Sequence, residues 1–263
     1  MLGPRRIYEY PVIIRQRNNA FHMTKLIKSR IHFHNMVIVR FEEVSKYYRK
    51  SRFGNEFVVA LDNISFEIDG GIVGLIGPNG AGKTTAIRLM LRLIEPTKGR
   101  VVTNFSPYDV GYIPQEAHPD EFLTLYENMV LILRLHGLSK DKSRAVAREL
   151  VAKFDLMSHA DKPAFKLSEG LKRKSIVLPV LFGLEKRCYV LDEPFEYLDY
   201  ETRMAVISRL RELKVSGAAV VLSTHNLYEA KNILDKAIIL KNKLVKIVEE
   251  NEISRLEEFL IAS

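Results

Sequence analysis

Cysteine occurs once in the 263 residues, as Cys188. A lone thiol in an apolar stretch excludes an internal disulfide framework and fits a reducing interior. Long hydrophobic runs are also missing. Even "IVLPVLFGL" over 176–184 stops at Glu185, far short of the ~20 apolar residues that span a bilayer, so any membrane role needs a partner. No repeat of solenoid length recurs. With 47% hydrophobic and 27% charged residues, the chain is neither a disordered nor a membrane-embedded one.

Acidic residues are nearly absent from positions 1–35. Seven cations (Arg5, Arg6, Arg15, Arg17, Lys25, Lys28, Arg30) face Glu9 alone, so +6 of the net +8 charge sits in this leader and +2 in the rest. It reads as a basic arm for anionic lipid or nucleic acid, or as a disordered extension or mis-assigned start ahead of a domain opening at Met36. The lack of a sustained amphipathic period favours the second account. Arg5-Arg6 followed by "IYEYPVII" is too short and polar for an export signal.

What the chain does contain from Met36 onward is an alternation of strand-like and helix-like segments, which predicts an α/β domain. In "GIVGLIGPNGAGKTTAIRLMLRLIEP", 71–76 reads as a buried strand, 77–83 as a loop and 84–95 as a helix stopped by Pro96. That helix would bury Ala86, Leu89, Met90, Leu93 and Ile94. The loop matches G-x-x-x-x-G-K-[ST] through Gly77, Gly82, Lys83 and Thr84. Its glycines let successive N–H groups and a helix N-terminus face phosphate oxygens, with Lys83 on the β and γ phosphates and the Thr84 hydroxyl on Mg²⁺.

A second candidate site is "RCYVLDEP". Tyr189, Val190 and Leu191 read as a buried strand ending in two acids, where a parallel sheet presents ligand-binding groups. Asp192 is placed to hold Mg²⁺ through water and Glu193 to accept a proton from attacking water.

These motifs, with "VGYIPQ", "KLSEGL", "EYLD" and "LSTHN" following in fixed order, resemble the ATP-binding cassette family from about residue 36 to about residue 251. The resemblance implies an α/β P-loop NTPase core of the ABC ATPase type, with an antiparallel β part and an inserted helical subdomain over about 116–170. It implies binding of ATP and Mg²⁺, with Gly77, Pro78, Asn79, Gly80, Ala81, Gly82, Lys83, Thr84 and Thr85 around the phosphates and Tyr48, or its neighbour Tyr47, stacked on adenine. Gln115 would touch metal and attacking water at the hinge into the helical subdomain, beside Thr84 and Asp192 on the metal. His225 would contact the γ-phosphate and hold Glu193 in register, and Asp199 would lie at a subunit interface. The family's Leu-Ser-Gly-Gly-Gln signature stands here as Leu167, Ser168, Glu169, Gly170 and Leu171, and would act on nucleotide held by the other subunit. Glu169 is expected to turn outward and Leu171 to pack.

Lys172, Arg173 and Lys174 read as a solvated face against the helix dipole. Pro179 falls inside the same predicted helix, where it should kink the chain at a cost of ~3 kcal/mol. Thr124 with Glu127 predicts a capping box, and Ser139 a second cap. The tail reads as a hairpin, "KAIILKNKLVKIV", and a short helix over 252–263.

The segment from Phe122 to Leu156 resembles cassettes of drug, antibiotic and sodium exporters. One cassette without spans then implies an ATPase subunit, in a homodimer or cassette heterodimer, that drives a separate membrane permease from the cytoplasmic face, with no nucleic acid expected. A soluble, non-transport ATPase of the same family is the alternative. Its usual marks, a long coiled coil, zinc-site cysteines or two cassettes, are not in the sequence, nor is the Asn-Lys-x-Asp motif of a GTPase.

Overall fold

A computed structural model describes residues 38–50, 56–225, 231–241 and 244–262. The basic leader, the domain start at Met36 and Asn226 lie outside those residues. Strands β1 (Val39–Arg49), β2 (Phe57–Ile68) and β4 (Lys98–Thr103) form an antiparallel sheet in the order β2-β1-β4. Phe41 and Phe66 stack across the β1/β2 pair with ring centroids 4.3 Å apart, which adds an oriented contact to area burial.

The second sheet holds β3 (Ile72–Ile76), β5 (Val110–Ile113), β6 (Cys188–Asp192), β7 (Ala219–Thr224), β8 (Lys236–Lys241) and β9 (Leu244–Glu249). Its order is β5-β6-β7-β3-β8-β9, parallel throughout except for the final β8/β9 hairpin. Every residue of β3, β6 and β7 is buried, as a parallel sheet covered on both faces requires. Side chains alternate between two cores. Ile72, Ile76, Tyr189, Leu191, Val220 and Leu222 face one, while Val73, Leu75, Val190 and Val221 face the other. Each such aliphatic side chain contributes about 1.5–3 kcal/mol when fully buried.

Helices α2 (Leu125–Leu135), α3 (Lys140–Lys153), α4 (Glu169–Gly183) and α5 (Tyr200–Val215) cover the first face. Helix α1 (Lys83–Met90) and the antiparallel sheet cover the second. A short helix α6 (Leu256–Ala262) follows a 3₁₀ segment after β9. Thr124 and Glu127 form a reciprocal capping box on α2. Ser139 caps α3 by accepting from Lys142 N–H at 3.4 Å.

One local expectation needs correction. Helix α1 ends at Met90, not at Glu95. The Leu93 N–H bonds to Arg88 O and the Arg92 N–H to Leu89 O, with Arg92 at φ 55°. This is a Schellman closure, and it leaves Leu93 59% exposed rather than buried. Arginine takes the place a glycine usually marks, and its side chain compensates by donating to Thr103 O at 3.2 Å. Helix α4 runs from Glu169 to Gly183 with Pro179 inside it, as the sequence placed it.

Candidate functional site

Four neighbouring parallel strands, β5, β6, β7 and β3, end on the same edge of the sheet. Each hands over one part of the site: Gln115 after β5, Asp192 and Glu193 at the end of β6, Thr224 and His225 at the end of β7, and the glycine loop after β3. The carboxyl edge of such a sheet is where strand order and crossovers open a crevice for ligands.

The loop is built by close backbone approach. Gly82 takes φ 96° as the residue before α1, and a Cβ there would lie 2.7 Å from Ala60 O on β2. Gly77 is equally confined, since its Cβ would meet Leu240 O at 2.2 Å. Pro78, Asn79 and Gly80 form the exposed rim, while Ala81, Gly82, Thr84 and Thr85 are half-buried. Lys83 is only 7% exposed. Its Nζ donates to Gly77 O at 2.7 Å and Pro78 O at 3.3 Å, and lies 3.8 Å from Glu193 Oε1. The ammonium is thus fixed at the loop mouth.

Asp192 is fully buried. Its Oδ1 accepts from Ser223 Oγ, while its buried Oδ2 has no hydrogen-bond partner. Across the crevice, Thr84 Oγ1 and Gln115 Oε1 stand 3.5 Å apart. A carboxylate with an open oxygen, a hydroxyl and an amide carbonyl are hard oxygen donors, so these residues fit a small divalent cation such as Mg²⁺.

Glu193 sits at φ 49° in the left-handed region, uncommon for a residue with a side chain. Its carboxylate is 5% exposed, and Oε1 lies 3.0 Å from Nδ1 of His225, whose ring is half exposed. Glu196 completes a cluster, with ligand atoms of Glu193, Glu196 and His225 within 4.8 Å of one another. Burial, followed by the charge of Glu193, holds the Glu196 carboxyl above its ordinary pKa. A buried carboxylate aligned by a half-exposed imidazole is an arrangement that can take a proton from water.

The three consecutive cations of α4 do not form a solvated face. Arg173 is 5% exposed, Lys172 pairs outward with Glu169 at 2.8 Å, and Lys174 pairs with Asp199. Successive helical residues are turned by 100°, so three in a row cannot share one face. Burial pushes the Arg173 guanidinium down from the ordinary arginine range, opposed by Glu196, Asp192 and Glu193.

At the N-terminus of α4, Ser168 accepts from Leu171 N–H at 3.4 Å as the capping residue. Glu169 points out to Lys172, and Leu171 is half-buried against the core. Leu167 is buried. A Cβ at Gly170 would stand 2.9 Å from Tyr197 O, so glycine is needed within the chain where α4 meets the turn after β6. That turn leads to Asp199, which caps α5 by accepting from Thr202 N–H at 2.9 Å. Burial would raise the Asp199 carboxyl, but Lys174 and Thr202 outweigh it and hold it at about 2.

Tyr48 lies at the end of β1, 36% exposed, with Lys46 Nζ 5.3 Å from its ring centroid. Tyr47 donates its hydroxyl to Asp62 Oδ1 at 2.9 Å. Sequence reasoning missed Arg173, Ser223 and Glu196. Only the repeated polarity of "LSTH" and "DEPFE" around the acidic pair hinted at the last two.

The family model described as "ABC transporter" matches residues 61–196. The carnitine transport ATP-binding protein OpuCA of Listeria monocytogenes serotype 1/2a (strain 10403S) is 31% identical over 232 residues, 83% of this chain and 57% of that protein. The Nod factor export ATP-binding protein I of Rhizobium sp. (strain N33) is 32% identical over 203 residues, 73% of this chain and 66% of that one. The chain therefore spans less than two thirds of either relative. A dimeric ATP-binding cassette solved in a post-hydrolysis state with ADP and Pi superposes with a TM-score of 0.70 at 25% identity, covering 81% of this chain and 99% of that one.

Proposed function

This chain belongs to the ABC transporter family, and on that premise we propose that it binds and hydrolyses ATP as a subunit driving a separate membrane permease. The observation that carries this is the buried Glu193 carboxylate, held 3.0 Å from His225 Nδ1 and 3.8 Å from Lys83 Nζ. Three groups from three strand ends meet where a γ-phosphate and its attacking water would lie.

Hydrolysis needs the water oxygen to bond to the γ-phosphorus as the bond to the bridging oxygen breaks and ADP departs. Glu193 takes the water proton, and His225 keeps that carboxylate in line. Lys83 and the amides of the loop from Gly77 to Thr84 stabilise phosphate charge, so most of the rate comes from positioning and electrostatics. A Mg²⁺ held by Thr84, Gln115 and Asp192 would supply further charge compensation on the phosphates. Tyr48, with an exposed ring and a hydroxyl not tied to Asp62, is the better candidate of the two tyrosines to stack on adenine.

Ser168 and Gly170 would complete the site of a partner cassette, with Asp199 beside it. Two chains would then enclose two ATP and open after hydrolysis. Among the described residues no helix is long and apolar enough to cross a membrane. The proposed permease would be met on the cytoplasmic face. The export-type helical segment, and the export named in one relative, support outward transport.

The test is phosphate release from MgATP by purified wild type and by Lys83→Ala, with co-purification from detergent-solubilised membranes. The expected results are wild-type turnover, loss of productive nucleotide binding in Lys83→Ala, and a multi-span chain recovered at similar abundance. Unchanged ATP affinity and turnover in Lys83→Ala would contradict the phosphate-loop assignment. Recovery of soluble proteins alone would contradict the permease.

A further inference from the structure

Arg173 takes no part in the chemistry above, yet it is the buried cation that joins the site's separate loops. One terminal nitrogen, Nη1, donates to Pro114 O at 3.2 Å and Gln115 O at 3.4 Å. The other, Nη2, donates to Asp192 O at 3.2 Å and Glu193 O at 2.8 Å. The first pair lies on the exit from β5 and the second on the exit from β6. Three of these four carbonyls belong to the residues whose side chains are assigned to metal and water.

A carbonyl held by a guanidinium cannot swing without breaking that bond, and a turn of its peptide would re-aim the side chain. Glu193 is the sharpest case. Its left-handed backbone is unfavourable for a residue with a side chain and persists only where neighbours over-determine it. Arg173 holds its carbonyl at 2.8 Å, while Ser223 Oγ accepts from its N–H at 3.0 Å. The same helix places Ser168 at its N-terminus, roughly 7.5 Å along the axis from Arg173 at 1.5 Å per residue.

We propose that Arg173 is a positioning residue that ties the Gln115 and Asp192–Glu193 loops to the signature helix, so that seating Ser168 on a partner's nucleotide aligns this chain's own base. The inference rests on Glu193 acting as that base. It requires a planar fork with donors on both sides. A lysine ammonium keeps the charge but cannot span two pairs of carbonyls.

The experiment compares Arg173→Lys, Arg173→Gln and Glu193→Gln in the full chain, measuring MgATP turnover per nucleotide-binding chain, ATP affinity and the dependence of rate on ATP concentration. Loss of a buried supporting group of this kind typically lowers activity about 10- to 100-fold. That fall is expected in kcat, deeper for Gln than for Lys, with KM within about threefold and the sigmoidal ATP dependence flattened. A kcat within about twofold of wild type in Arg173→Lys, or a rise in KM alone, would overturn the inference while Glu193→Gln is inactive. If Arg173→Gln does not fold, Arg173→Lys carries the test by itself. Normal turnover in Glu193→Gln would instead overturn the base assignment, whatever the Arg173 variants do.

Discussion

Tyr47 and Tyr48 are chain neighbours with opposite fates, because successive strand residues point to opposite sides. Tyr47 is engaged by Asp62 at 2.9 Å, while Tyr48 leaves an exposed ring beside Lys46. Base-to-ring stacking is worth about 1–3 kcal/mol. Tyr48→Ala is therefore expected to raise the KM for ATP about tenfold at little change in kcat, as steady-state titration would read. A fall in kcat at constant KM would place the ring elsewhere. At the same scale, Lys83, Thr84, Asp192 and Glu193 stood out in the sequence because their residue types follow buried strands, while Gln115 was pointed to only by the family resemblance. Arg173 did not stand out. A run of three cations looks solvated until the 100° turn per helical residue is tied to a particular neighbour, and Asp192 and Gln115 are 19 and 58 residues away in the chain.

Helix boundaries show which local signals sufficed. The caps at Thr124 and Ser139 were readable because a short side-chain acceptor meets N–H groups three residues on. The end of α1 was not readable, because a left-handed arginine replaced the usual glycine. Helix α5 carries a prediction of this kind. Asp199 caps it and pairs with Lys174, so Asp199→Ala should lower the stability of nucleotide-free protein by about 1 kcal/mol, seen as a lower denaturant midpoint. With its carboxyl held at about 2, below the unfolded value, its stabilisation is present above ~pH 4 and is lost as pH falls through about 2. The carboxylate is 52% exposed, so solvent screens the ion-pair part and the cap dominates. An unchanged midpoint at neutral pH would remove the cap from the account of α5.

At the scale of the molecule, alternation of strands and helices foretold an α/β fold, but not the strand order. In the sequence the glycine loop, Gln115, the acidic pair and His225 are spread over about 150 positions. The order β5-β6-β7-β3 gathers them along one sheet edge, and long-range parallel pairing of that kind leaves little trace in local periodicity. In the function proposed here the signature on α4 acts on nucleotide held by a partner cassette, so the proposed ATPase is a property of an assembled pair. The most direct test is to follow Glu193→Gln with MgATP by light scattering and phosphate release. The account predicts a stable dimer holding two ATP, with turnover down about 100-fold or more. A monomer that hydrolyses ATP at the wild-type rate would contradict it.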